Sequence, residues 1–459
     1  MVTDLSHGTG DVSRTSFLQD LLATIIERAV PRTASNDRRS LRELCAALIS
    51  ERGEASGFSL ATAILDRYEK ASPEDKAAFF KLLTESHDLD AEAVIAAATA
   101  YKAAPDADIL ARILNAAEAP RQELLRRLNR LPGATGRLVA MRGDLLSLTR
   151  DNPSFRRADL DFQHLFMSWF NRGFLVLRRI DWSTPANILE KIIAYEAVHT
   201  INDWDELRRR LQPSDRHCFA FFHPAMPDEP LIFVEVALTG EIPGSIDALL
   251  SEEREPIAET EATTAVFYSI SNCQKGLAGI SFGNFLIKQV ATDLMQSLPN
   301  LKTFVTLSPV PGLTRWMRQE AQAGEGTEQG EAERGALLTR LAEAKSAVNV
   351  QTDGPALAAL AAEYLLWAKR ADGLPLDPVA RFHFGNGASL EAIHPGADLS
   401  AKGLGQSCGV MVNYRYDLKT VEANHEQFAH RGEVATTRAI KSLLGPERTK
   451  HASRRSDHA

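Results

Sequence analysis

The stretch AVFYSISNCQKGLAGISFGNFLIKQVATDLMQSL, residues 265–298, carries the reading that decides the fold. It opens on an apolar, aromatic and β-branched run, the composition of a buried strand. Gly276, Gly279 and Gly283 follow, and Phe282, Leu286, Val290 and Leu294 then recur at helical spacing. Strand, glycine turn and helix in that order build an α/β layer. The helix N-terminus would offer unpaired N–H groups to a phosphate, with glycines letting the backbone come close. The same glycines also suit a plain tight turn that packs a helix on its strand. The stretch lacks the Gly-Lys-Ser/Thr of a Walker loop and is no clean G-x-G-x-x-G.

Runs of the same character extend outward in both directions. FLVLRRI (174–180), CFAFF (218–222) and LIFVEVAL (231–238) precede it, and TFVTL (303–307) follows. Short strands separated by turns or helical stretches predict a mixed α/β domain. Before residue 170 there is almost no alternating β-branched run. Phe17, Leu18, Leu21, Leu22, Ile25 and Ile26 form a helical stripe closed by Pro31. SPEDKAAFFKLLTE (72–85) has Ser72 as an N-cap and carboxylates in its first turn. The division expected is a helical domain over 1–172 and an α/β domain over 173–459. GEGTEQGEAERG (324–335) reads as a solvated loop, and 336–370 returns to helical periodicity.

Composition excludes several functions. The chain has 459 residues, with 52 Lys+Arg against 60 Asp+Glu, a net charge of −8. That acidic balance argues against a broad nucleic-acid surface. No apolar run reaches the length of a membrane span, and the N-terminal residues lack the order of a signal peptide, so a cytoplasmic protein is expected. Cys45, Cys218, Cys273 and Cys408 are scattered, with neither a disulfide framework nor zinc-ligand spacing.

Two further stretches can carry chemistry. In TLSPVPGLTRWM (306–317) a strand ends at Ser308, with Pro309 and Pro311 fixing the backbone after it. Ser308 is either a hydroxyl held on a rigid strand end or the cap of a helix starting near Leu313. It is not in a G-x-S-x-G elbow. In ARFHFGNGASLEAI (380–393), His383 lies in an apolar, strand-like run before a Gly-Asn-Gly turn. Asn413, Tyr414 and Tyr416 follow in SCGVMVNYRYDL (407–418).

Taken together, these blocks resemble the malonyl-CoA decarboxylase family. The resemblance rests on FLVLRRIDWSTP (174–185), EPLIFVEVALTGEIPGSI (229–246), TAVFYSISNCQKGLAGISFGNFLIK (264–288), TLSPVPGLTRW (306–316), DPVARFHFGNGA (377–388) and SCGVMVNYRY (407–416). It covers nearly all of 174–420. It implies a helical domain that assembles dimers or tetramers, followed by an acetyltransferase-like (GNAT-type) α/β domain. It implies a coenzyme A cradle at Ala278, Gly279, Ile280, Ser281, Phe282, Gly283 and Asn284. Catalysis would fall to Ser308 as proton acceptor and His383 as proton donor, both also binding substrate, with Tyr416 as a secondary candidate. Some members carry Glu in the cradle where this chain has Ser281. The implied reaction turns malonyl-CoA into acetyl-CoA and CO2 without metal or organic cofactor. The alternatives are a GNAT-type acyltransferase and a non-catalytic coenzyme A sensor. Lys275, Lys288 and Arg315 are candidates for the coenzyme's 3′-phosphate.

Overall fold

The computed structural model describes residues 37–51, 53–280, 286–323, 329–343 and 349–444. The stripe from Phe17 to Ile26 lies outside them. The chain forms two compact units. One runs through Phe174 and takes in His223–Glu229 and a short segment that begins at Gln274. The other holds Leu175–Phe222, Pro230–Cys273 and the later part of the chain.

The first unit is helical, as its composition predicts. Ser72 caps the helix Pro73–Glu85 by accepting from the Asp75 N–H, and Pro73 sits in the first turn, where its missing donor costs nothing. Phe79 and Phe80 pack at steep angles against Tyr68, and Phe80 also against Phe155, to build an aromatic core. Two buried arginines tie this unit together. Arg121 in the helix Pro120–Leu128 bonds to Asp161 and Asp88. Arg142 in the helix Ala134–Leu148 donates to Asp159 Oδ1 at 2.7 Å and to the carbonyls of Gly276 and Ala278 at 2.7 and 2.9 Å. The glycine segment is thereby strapped to a helix. A Cβ on Gly276 would lie 1.8 Å from the Val139 carbonyl oxygen, so this glycine serves close packing. Gly279, at φ +76°, has open space where a Cβ would stand.

The second unit is a sheet flanked by helices. Its strands are β1 (Val176–Ile180), β2 (Arg216–Phe222), β3 (Ile232–Thr239), β4 (Thr264–Asn272), β5 (Thr303–Thr306), β6 (Ser308–Pro309), β7 (Ser389–His394) and β8 (Met411–Arg415). The order is β1-β2-β3-β4-β5-β8-β6, with β7 also pairing to β8. β1 to β4 form an antiparallel meander. β4 and β5 are parallel, which requires a crossover, and the helix Leu286–Ser297 lies in it with Leu286, Val290 and Leu294 buried as the stripe predicts. Every residue of β2 is buried, and of β3 only the last is not. Alternation is absent from both strands because both faces are covered.

Two local expectations fail. The run around His383 is the helix Pro378–Gly385, not a strand. Asp377 caps it by accepting from the Val379 and Ala380 N–H groups, and Pro378 supplies a preset φ at the start. Aromatic neighbours suit a strand, but the cap decides the local conformation. The Gly- and Glu-rich stretch 324–335 is not a loop throughout: the helix Gln329–Ala342 begins within it and anchors through buried Leu338 and Leu341 further on. Among the described residues no helix is long and apolar enough to cross a membrane. All four cysteines are buried and none forms a disulfide.

Candidate active site

β5 and β8 touch at one register pair only, Val305 with Arg415, before they part. Past Leu307 the chain re-pairs with β8 as β6, Ser308 opposite Val412. Where the strands splay, backbone groups lose their ladder partners, and a buried orphan would cost about 1–3 kcal/mol. Side chains take over instead. Asn413 Nδ2 donates to the Thr306 carbonyl at 2.9 Å, and Thr306 Oγ1 accepts from the Tyr414 N–H at 3.2 Å. Asn413 also donates to the Pro243 carbonyl and bonds through Oδ1 to His394. The splay is therefore a built feature, and Ser308 stands at its edge, where pairing resumes.

His383 reaches the same point from the helix Pro378–Gly385. Its Nε2 lies 3.2 Å from Ser308 Oγ, and its Nδ1 lies 2.8 Å from the Tyr416 hydroxyl. Ser308 Oγ in turn donates to Thr306 Oγ1 at 2.8 Å. Asp377 sets the relative position of the two approaches. While capping the His383 helix it accepts from the Gly312 N–H, just past Ser308, and from the Tyr364 hydroxyl at 3.3 Å. No side chain fits at Gly312, where a Cβ would lie 2.1 Å from that hydroxyl.

The setting is dry. Ser308, His383 and Tyr416 are all buried, and the Tyr414 ring stacks on the imidazole with centroids 4.3 Å apart. Burial disfavours imidazolium and holds His383 down to about 3, so it is neutral at neutral pH. Burial also pushes the Tyr416 and Tyr414 phenols well above their usual range. The Tyr414 hydroxyl is buried and without a hydrogen-bond partner among the described residues.

The structure thus joins three predicted residues, Ser308, His383 and Tyr416, across 108 positions of chain. Ser308 caps no helix. Ala278, Gly279 and Ile280 belong to the helical unit. Ser281, Phe282, Gly283 and Asn284 lie outside the described residues. Lys275 and Arg315 are exposed, while Lys288 pairs with Glu422 at 2.8 Å. Thr306 and Asp377 escaped sequence reasoning. Asp before Pro at a helix start is a readable cap signal, but a lone Thr two residues before Ser308 carries none beyond strand alternation. Among the described residues no group of three or more His, Cys, Asp or Glu is placed to hold a metal ion.

Comparison with known proteins bears on this site. A family model described as malonyl-CoA decarboxylase C-terminal domain matches residues 173–454, and one described as the N-terminal domain matches residues 87–170. Mitochondrial malonyl-CoA decarboxylase of Anser anser anser is 36% identical over 347 residues, spanning 70% of this chain and 68% of the relative. The crystal structure of malonyl-CoA decarboxylase from Rhodopseudomonas palustris superposes with a TM-score of 0.83 at 52% identity, covering 88% of this chain and 98% of that one. The Agrobacterium vitis structure of that name gives 0.83 at 50% identity, covering 88% and 99%.

Proposed function

The chain belongs to the malonyl-CoA decarboxylase family, and from that premise we propose that it converts malonyl-CoA to acetyl-CoA and CO2 at Ser308, His383 and Tyr416. The observation that carries the assignment is the continuous hydrogen-bonded line from Ser308 Oγ through both imidazole nitrogens to the Tyr416 hydroxyl.

In this reaction the C–CO2 bond breaks and its electron pair passes into the thioester as an enolate. The carbonyl is the electron sink, so the chemistry calls for no metal or organic cofactor. Ser308 engages the reacting malonyl group on the Nε2 side of His383, in the proton-acceptor role that the family resemblance gives it. His383 then gives its Nε2 proton to the enolate carbon. A neutral imidazole is a weak acid, yet an enolate carbon is a far stronger base than an imidazolate or a phenolate. Tyr416 lends its proton to Nδ1 as Nε2 gives its own up, and takes it back when Nε2 regains a proton from solvent on product release, so that the starting tautomer is restored. One proton is consumed per turnover, as the stoichiometry demands. A setting this buried also strips water from the substrate carboxylate, which favours loss of neutral CO2.

The reading extends to two other parts of the chain. Residues 278–284 are proposed to cradle coenzyme A. The helical unit is proposed to assemble cytoplasmic dimers or tetramers. Supporting this, the helices Ala91–Ala103 and Ala107–Ala116 bury no residue, and they leave Ile95 and Leu114 59% and 63% exposed.

Incubation with malonyl-CoA alone is the direct test. Release of CO2 and acetyl-CoA is expected. Turnover only when an amine is added would make the chain an acyltransferase, and tight binding without turnover a sensor. Ser308→Ala is expected to cut turnover while leaving coenzyme A affinity nearly intact; weakened binding at unchanged turnover would move Ser308 to anchoring.

A further inference from the structure

We propose that Thr306 is a positioning residue: by accepting the Ser308 hydroxyl proton it fixes the direction of every hydrogen bond along Ser308, His383 and Tyr416, and so keeps the His383 proton on Nε2. The inference rests on the decarboxylase reading of the site for its catalytic consequence, but not for its geometry.

A neutral imidazole has two tautomers, and which one forms is set by the partners of its nitrogens. Taken alone, the pair Ser308 and His383 is ambiguous, since a hydroxyl can donate or accept. Thr306 resolves it. The Ser308–Thr306 bond runs one way, Thr306 Oγ1 accepting from Ser308 Oγ at 2.8 Å, and the same oxygen also accepts from the Tyr414 N–H at 3.2 Å. With its proton committed to Thr306, Ser308 can only accept from His383, so Nε2 carries hydrogen. Nδ1 is then bare and accepts from the Tyr416 hydroxyl. All three donors point the same way, from Tyr416 towards Thr306. That is the direction in which a proton must travel to reach the side of the imidazole that faces Ser308.

Thr306 is itself held in place. It lies fully buried at the β5–β8 splay, and its carbonyl accepts from Asn413 Nδ2. The opposite tautomer would put the proton on Nδ1, turn Tyr416 into an acceptor, and leave Nε2 as a base facing Ser308. A site wired that way removes protons from the substrate side instead of delivering them.

The test compares Thr306→Val, which keeps the shape and removes the acceptor, with Thr306→Ser, which keeps the acceptor. Nitrogen-15 shifts of histidine-labelled full-length protein report the tautomer of each imidazole, with His383 assigned by its loss in His383→Asn. The expected result is Nε2–H in the parent and in Thr306→Ser, and a shift towards Nδ1–H in Thr306→Val. With malonyl-CoA, Thr306→Val is expected to lose tenfold or more in kcat with KM changed less than threefold, and Thr306→Ser to recover at least a third of the parent rate. A parent protein with Nδ1–H overturns the proposal, even if Thr306→Val fails to fold. So does a folded Thr306→Val that keeps Nε2–H. The tautomer is read in the free protein, so it decides the proposal whether or not the parent releases CO2.

Discussion

The two buried arginines of the helical unit and the β5–β8 splay of the α/β unit hold their polar groups in opposite ways. In the helical unit the buried groups are charged and fully occupied: Arg142 takes Asp159 and two carbonyls, and Arg121 takes two carboxylates and the Leu83 carbonyl. At the splay of the α/β unit they are neutral, arranged in a single file, and flanked by the unpartnered Tyr414 hydroxyl. The first arrangement has no spare valence for a substrate and can only hold helices and the glycine segment together. The second keeps protons that can move. The difference separates architecture from chemistry more sharply than burial does, since both sets are equally hidden from water.

The comparison can be broken in several places. His383→Asn strikes the movable protons most directly and is expected to cost a factor of about 10²–10⁴ in kcat for CO2 release, with little change in unfolding free energy. A variant with the parent rate would end the assignment. Arg142→Met should do the reverse. It takes the cation from Asp159, which keeps its bond from Gln163 Nε2, and removing one partner of a buried pair costs about 3–5 kcal/mol, measurable by denaturant unfolding. Loss below 1 kcal/mol would mean the arginine is not the tie it looks to be. Gly276→Ala tests the same strap from the other side. With the Val139 carbonyl 1.8 Å from the new carbon, overpacking should cost about 1–3 kcal/mol.

Tyr416→Phe sharpens the chemical side. It removes the replacement proton without changing the ring, and kcat should fall about tenfold, read in the same CO2 assay. The smallest effect is on pH stability. Burial holds His383 at about 3, below the ordinary 6.5. As pH falls through that window the unfolded chain takes up a proton that the folded site refuses, so this contribution is present above 6.5 and lost towards 3. Thermal melts of the parent and of His383→Asn should therefore differ in slope across the acid range. Identical slopes would show that His383 is protonated in the folded chain.

Much of this is legible in the sequence. The strand runs in 174–307, the capped helix from Pro73 and the apolar stripe of Leu286, Val290 and Leu294 are local patterns, and local patterns follow from backbone propensity and periodicity. Ser308 and His383 stand out as candidates beside their prolines and glycines, but their catalytic roles, and Tyr416 as a candidate for one, are what the resemblance to the family implies. The His383 run misled because aromatic residues suit strands and the single Asp377 cap outweighs them. Thr306 had no signal of its own, since its role depends on a Tyr414 N–H more than a hundred residues away.

The sequence by itself determined the order of a helical part and an α/β part, the absence of a disulfide or zinc-ligand pattern, and the residue types able to do acid–base work. Tertiary structure alone decided which of them meet. It decided that Gly276 packs on Val139, that the β5–β8 splay is filled by Asn413 and Thr306, and that His383 is neutral with a partner on each nitrogen. The reason is physical. Propensity and pattern act over a few residues, whereas desolvation and the direction of a hydrogen bond are set by whatever the fold brings within about 3 Å.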